Sequence, residues 1–158
     1  MIIVRLASMG NIRRRFLQIL EKTDLKGKYP KNSRQQYKNI DDDKEVASIM
    51  MNFNRKLILE DGSEYYGYGF GSKQDRITEI VFNTSPVGYQ EIVSDPSYHN
   101  QTVVMAYPLI GNYGIAEDDF ETEIPTIGGL VVRDYNDTPS NFRSKYTLAE
   151  LMEKYYIP

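Results

Sequence analysis

The sequence changes character near residue 50, and this break most constrains what the chain can fold into. Residues 1–50 carry 11 Lys and Arg against 6 Asp and Glu, whereas residues 51–158 carry 8 against 16. Nine of the 11 glycines and 11 of the 13 tyrosines lie in the second part. A shift of this kind indicates two segments of different origin or role. We therefore predict a basic leader over 1–50 and a folded domain over 51–158.

The leader has little material for a core. Asn11 can cap a short helix over 12–22, and the polar stretch 24–45 has too little apolar surface to offset the entropy of ordering. An Arg-bearing amphipathic helix also fits a mitochondrial transit peptide or a basic arm for nucleic acid. We favour a solvated helix and expect no nucleic-acid partner, because acidic residues offset the basic ones. A further hypothesis is that the natural protein starts at Met51 and that residues 1–50 are translated upstream sequence.

Composition excludes several kinds of site. The chain has no cysteine, so it cannot form a disulfide, a thiolate zinc site, an Fe–S cluster or a cysteine nucleophile. His99 is the only histidine, which excludes a His-rich metal site. No apolar run approaches the roughly 18 residues that a membrane span needs. With 41% hydrophobic and 26% charged residues, the chain is typical of a soluble globular protein.

Short apolar runs predict most of the domain to be strand. Asp61-Gly62 predicts a two-residue type I′ turn, because Gly adopts positive φ at low cost. This turn joins the first two strands of a predicted set at 55–60, 64–69, 77–83, 102–107 and 129–133. The fourth run is nearly all apolar, and we expect it to be buried on both faces.

Two helices complete the prediction. Residues 89–93 fit one or two helical turns that end before Asp95-Pro96. Thr147 and Glu150 have the spacing of a capping box, and apolar residues recur after them at helical intervals. Strands outnumber helices, so the predicted fold class is α+β and β-rich.

Three segments carry candidate chemistry, and for each we favour the simpler interpretation. The glycines of 67–71 resemble a phosphate-binding loop, but a strand and not a helix is predicted to follow them. The run 117–123 holds five carboxylates and could bind Ca²⁺ or Mg²⁺, although an exposed acidic loop fits it better. Ser97 and His99 lie close in sequence, but no G-x-S-x-G motif surrounds Ser97, so we expect a surface histidine.

Several motifs in order make the sequence resemble a known family. The motifs are LILEDG (57–62), NTS (83–85), GYQEI (88–92), DPSY (95–98), YPLIGNYG (107–114), GLVVRD (129–134) and PSNFR (139–143). Through these motifs the sequence resembles the small subunit of glutamine-dependent carbamoyl-phosphate synthase over about residues 55–157. Pro86 and Val87 depart from the Met-Thr type of pair usual in the family.

The resemblance implies a fold and a role. The family's small subunit begins with a β-rich domain, of swivelling β/β/α type, that docks the large subunit. A class I amidotransferase domain with a Cys-His-Glu set follows it and hydrolyses glutamine. The resulting ammonia reaches the large subunit, which uses bicarbonate and ATP to make carbamoyl phosphate for arginine and pyrimidine synthesis. This chain is then expected to be a C-terminally truncated first domain, part of an enzyme but inactive alone.

The resemblance also implies site residues, partners and a compartment. Ser97, in the DPSY motif, is the residue expected to bind substrate, namely L-glutamine, and its alternative role is a turn hydroxyl. No catalytic residue, cofactor or metal is expected in this chain, since ATP and metal ions belong to the large subunit. The expected setting is a cytoplasmic heterodimer without membrane attachment. Two alternatives stay open: a purely non-catalytic binding module, or a nucleic-acid binder that acts through the basic arm of residues 1–50.

Overall fold

A computed structural model describes residues 2–6 and 53–158 of the chain, and a six-stranded sheet is its framework. The strand order is β3-β2-β1-β4-β5-β7, and β6 and β8 form a separate two-stranded sheet. All neighbouring strands are parallel except β2 and β3. The strands are β1 (Ile2–Leu6), β2 (Arg55–Leu59), β3 (Glu64–Gly67), β4 (Arg76–Asn83), β5 (Gln101–Met105), β6 (Leu109–Ile110), β7 (Gly129–Val131) and β8 (Asp134–Tyr135).

The helices are short and lie between or after the strands in sequence. They are α1 (Tyr89–Ser94) and α2 (Leu148–Lys154), with 3₁₀ turns at Pro96–Tyr98 and Glu117–Asp119. All five strands predicted for the domain are present, with small differences at their ends, and both predicted helices form. A mixed sheet with helices confirms the predicted α+β class, although the mostly parallel pairing was not predicted.

One strand comes from the leader, where none was predicted. β1 lies between β2 and β4 and runs parallel to both, with Ile3 opposite Ile58 on one side and Ile77 on the other. This five-residue segment, which includes Arg5, is too short for its periodicity to identify it as a strand. The predicted helix at 12–22 and the predicted loop at 24–45 lie outside the described residues.

The turn between β2 and β3 differs from the prediction. A type I′ turn needs positive φ at both central residues, but only Gly62 has it, at 80°. The Gly62 N–H donates to the Leu59 carbonyl, and Leu59 N–H donates to the Ser63 carbonyl. The Asp61 carboxylate accepts from Ser63 N–H, which favours a three-residue loop. The type I′ prediction was therefore wrong, while the hairpin itself is confirmed.

β5 separates the two clusters of the core. Its residues Thr102 to Met105 are all buried, as predicted for this strand. Val103 and Met105 pack into the cluster that includes α1 and α2, whereas Val104 packs on the opposite face with Leu57 and Ile80. The buried Thr102 hydroxyl is hydrogen bonded to Thr78 at 2.6 Å, so it is satisfied within the core.

The predicted capping box at the start of α2 is present. The Thr147 hydroxyl accepts from the Glu150 N–H at 3.1 Å, and the Glu150 carboxylate accepts from the Thr147 N–H at 2.7 Å. The Thr147 N–H and hydroxyl lower the pKa of the Glu150 carboxyl. The helix then buries Leu148, Leu151 and Met152 completely.

Replacing Glu150 with Ala should make acid sensitivity visible. The folded-state pKa of Glu150 lies below its unfolded value of about 4.3. Its stabilising effect is therefore present above that value and is lost as the pH falls through the folded-state pKa. Urea unfolding should show Glu150→Ala less stable than the wild type at pH 7, with the difference shrinking by pH 3. Glu153→Ala, an exposed change on the same helix, is the control, and a pH-independent difference for Glu150→Ala would contradict the expectation.

Candidate functional site

The loops that carry the sequence motifs meet around the end of β4. Asn83, the last residue of β4, connects three of them. Its carboxamide NH₂ donates to the Tyr98 hydroxyl at 3.0 Å, its side-chain oxygen accepts from Ser85 N–H at 2.7 Å, and its carbonyl accepts from Ala106 N–H at 2.8 Å. One residue thus fixes the loop after β4, the chain after β5 and the turn that contains Ser97.

Two tyrosines join the start of α1 to the loop after β6; we call this pair, Tyr89 and Tyr113, the tyrosine clasp. Their rings stack with centroids 4.1 Å apart. The Tyr113 hydroxyl accepts from the N–H groups of Gly88 at 3.0 Å and Tyr89 at 2.9 Å. The Tyr89 hydroxyl donates to the Gly114 carbonyl at 2.8 Å. The first N–H groups of a helix have no partner within it, so the clasp supplies one.

The tyrosine clasp is structural and not an acid–base pair. Burial raises the pKa of both Tyr89 and Tyr113 above the ordinary tyrosine value. Both hydroxyls therefore stay protonated at neutral pH and serve as hydrogen-bonding groups. Gly88 precedes α1 with a φ of 84°, a conformation that favours glycine.

Buried polar side chains of α1 hold the loop 116–122 in place. Gln90 is buried, and its side-chain oxygen accepts from the Ala116 N–H. The Ser94 hydroxyl accepts from the Glu121 N–H at 2.9 Å, and the Ser94 carbonyl accepts from the Thr122 hydroxyl at 2.6 Å. The acidic loop is consequently fixed at both ends by a single short helix.

The carboxylates of the acidic loop interact with nearby side chains. Asp119 accepts from Arg143 at 2.7 Å, and Glu117 lies 3.8 Å from the Lys145 ammonium. The Tyr146 hydroxyl donates to Glu117 and lowers the pKa of that carboxyl. Within residues 53–158, no three His, Asp or Glu side chains cluster as metal ligands would. Glu117 and Asp118 are exposed, in keeping with the predicted acidic loop.

Ser97 lies exposed on a fixed turn. Asp95 caps the 3₁₀ turn by accepting from the Ser97 N–H at 2.7 Å, and the Asp95 carbonyl accepts from the Thr126 hydroxyl at 2.6 Å. The Ser97 hydroxyl has no hydrogen-bond partner in the described domain. It is therefore available to a group from outside the domain. His99 is also exposed and pairs through its backbone with Ile127, as a surface histidine would.

Sequence reasoning missed the residues that position these loops. The motifs containing Tyr89, Gln90 and Tyr113 were noticed, but their side-chain contacts are made between segments more than 20 residues apart. A tyrosine beside a glycine-bearing loop was the only available signal. Glu91 was also missed: its Oε2 is buried with no hydrogen-bond partner in residues 53–158.

A separate groove of about 650 Å³ lies between the β2–β3 hairpin and β7. Its lining is mostly apolar and aromatic and includes Tyr65, Tyr68, Phe70 and Leu130. Glycines of the 67–71 run border it, and the chain continues from them into β4. No helix follows these glycines, so the phosphate-loop interpretation fails on geometry. None of the predicted site residues lies in this groove.

Comparison with known proteins relates residues 57–158 to one family. They match the carbamoyl-phosphate synthase small chain, CPSase domain. The chain is similar to the carbamoyl phosphate synthase small chain of Fusobacterium nucleatum, with 58% identity over 106 residues. It is 57% identical over 104 residues to that of Oceanobacillus iheyensis, and 51% over 104 residues to the pyrimidine-specific small chain of Bacillus subtilis.

These alignments cover unequal shares of the proteins compared. They include 67%, 66% and 66% of this chain, but only 30%, 28% and 29% of the three relatives in the same order. The chain thus spans under a third of the length of each relative.

Among the described residues, no helix is long and apolar enough to cross a membrane.

Replacing Tyr113 with Phe tests the tyrosine clasp. The ring stack survives, but the N–H groups of Gly88 and Tyr89 lose their acceptor. A part-buried donor left without a partner costs about 1–3 kcal/mol. We expect urea unfolding to show a loss of stability in that range. The control is Tyr156→Phe, at an exposed side chain. Equal stabilities of the two variants would show that the Tyr113 hydroxyl does not stabilise the domain.

Proposed function

Because the chain belongs to the carbamoyl-phosphate synthase small-chain family, we propose that it is the domain by which a glutamine-dependent synthase assembles with its large subunit. The match over residues 57–158 carries this proposal. The structure supports it in one respect: hydrogen bonds join the motif loops to one another, and these loops reach the surface. Preformed loops of this kind suit the docking of a protein partner.

The enzyme in which it would act joins two chemistries. Ammonia released from glutamine by the small subunit would pass to the large subunit and combine with bicarbonate and ATP to form carbamoyl phosphate. ATP and metal ions would be bound by the large subunit, in a cytoplasmic heterodimer. The product would serve pyrimidine or arginine synthesis; the relatives in Bacillus subtilis and Halalkalibacterium halodurans are named pyrimidine-specific. The domain itself would have the swivelling β/β/α arrangement of this family.

Ser97 is the residue of this domain that we propose to contact glutamine. A hydroxyl can both donate and accept a hydrogen bond, so it suits either charged end of an amino acid. The exposed Ser97 hydroxyl stands on a turn fixed by Asp95 and Pro96, which would hold it in a constant position. Ser97 would position the substrate, because the family's glutamine hydrolysis would use a cysteine nucleophile and this chain contains no cysteine.

Binding and activity of the isolated chain test the main proposal. We expect the 158-residue chain to co-purify with the carbamoyl-phosphate synthase large subunit of the same organism. We also expect it to release no ammonia from glutamine above a blank, because the sequence contains no cysteine to act as nucleophile. A chain that fails to bind the large subunit, or that hydrolyses glutamine alone, would contradict the proposal.

A chimaeric small chain tests Ser97. Residues 57–158 would replace the matching region of the Fusobacterium nucleatum small chain, to which this chain is 58% identical over 106 residues. In this chimaera with its large subunit, Ser97→Ala should raise the KM for glutamine by roughly tenfold, the effect of one lost hydrogen bond of about 1.4 kcal/mol. Synthesis from added ammonia should not change, and Ser140→Ala, at another exposed serine, serves as the control. An unchanged KM for glutamine would leave Ser97 only its role in the turn.

A further inference from the structure

Phe142 is an apolar side chain held almost entirely in water. Its side chain is 96% exposed, the largest fraction among the large apolar residues of the described chain. A single exposed apolar residue needs no explanation when it lies on a loose segment. Phe142 differs because the residues on both sides of it are fixed.

Backbone and side-chain hydrogen bonds hold the loop that carries Phe142. The Asn141 side-chain oxygen accepts from the Arg143 N–H at 3.0 Å, and the Asn141 carbonyl accepts from the Ser144 N–H at 3.0 Å. The Ser140 N–H donates to the Asn112 carbonyl at 3.1 Å, in the loop that also contains Tyr113. The phenyl ring is therefore presented on a preformed turn that is attached to the motif loops.

The other neighbour of Phe142 is attached to the acidic loop. Arg143 donates to Asp119 at 2.7 Å, and this hydrogen bond, together with the charges of Asp119 and Asp118, raises the pKa of the Arg143 guanidinium. Asp118, the residue before Asp119, is exposed. The domain as a whole is acidic, since residues 53–158 carry 16 Asp and Glu against 8 Lys and Arg.

We propose that Phe142 is the anchor by which this domain binds the large subunit, inserting its ring into an apolar pocket edged by Lys or Arg side chains that face Asp118. The inference rests on the proposed function and names the contact within it. Aromatic residues seated in a partner's pocket dominate many protein interfaces. A ring already held in place loses little conformational entropy on binding, and opposite charges at the edge of the contact accelerate association.

The experiment measures affinity for the purified large subunit of the same organism by biolayer interferometry. Phe142→Ala should weaken binding by about 30-fold or more, since a central aromatic anchor contributes at least about 2 kcal/mol. Phe142→Tyr should keep most of the affinity, because it retains the ring. Tyr156→Ala removes another exposed aromatic side chain and should leave the affinity unchanged. Circular dichroism should show equal melting temperatures for wild type and Phe142→Ala, since the ring makes no core contact.

The charge at the edge is tested separately. Asp118→Lys should slow association several-fold at low salt, with the difference disappearing at high salt.

Wild-type chain that does not bind at all would overturn the proposed function. If Phe142→Ala binds the large subunit as tightly as the wild type does, Phe142 is not the anchor, while the proposed function stands. The same holds if Phe142→Ala and Tyr156→Ala lose equal amounts of affinity. Those results would leave Phe142 to a different contact, such as another part of a longer small chain.

Discussion

The tyrosine clasp is the interaction on which the arrangement of the surface loops depends. The Tyr113 hydroxyl accepts from two N–H groups at the start of α1, while the Tyr89 hydroxyl donates to the loop that contains Tyr113. α1 in turn holds the acidic loop through Gln90 and Ser94. The loop carrying Phe142 is attached to Asn112, next to the clasp. Loss of the clasp would therefore loosen several loops together.

Two of the motifs that identify the family supply residues that hold the loops together. In GYQEI, Tyr89 and Gln90 are buried and hydrogen bonded to other loops, and in YPLIGNYG Tyr113 has the same role. Such contacts satisfy polar groups inside the domain. Ser97 and Phe142 differ from these residues, since each is exposed on a turn whose neighbours are held by hydrogen bonds. Tyr89, Gln90 and Tyr113 thus hold the loops in position, whereas Ser97 and Phe142 are exposed on their surface.

Local signals predicted the elements well, because their causes are local. The capping box at Thr147 and Glu150 and the apolar run of β5 depend only on neighbouring residues, and both were confirmed. The turn at Gly62 was wrong in type because a hydrogen bond from Leu59 N–H to Ser63 selected a longer loop. Strand direction and the tyrosine clasp are set by contacts between distant segments, which neither periodicity nor propensity can show.

Hydrogen–deuterium exchange on the chain, alone and with the large subunit, tests the account most directly. If the domain binds through the loops that the clasp organises, backbone amides of 139–145 and 117–121 should gain protection in the complex. The β2–β3 hairpin lies at the edge of the sheet opposite β7, and its amides should exchange equally in both states. Protection confined to that hairpin, or no added protection anywhere, would contradict the account.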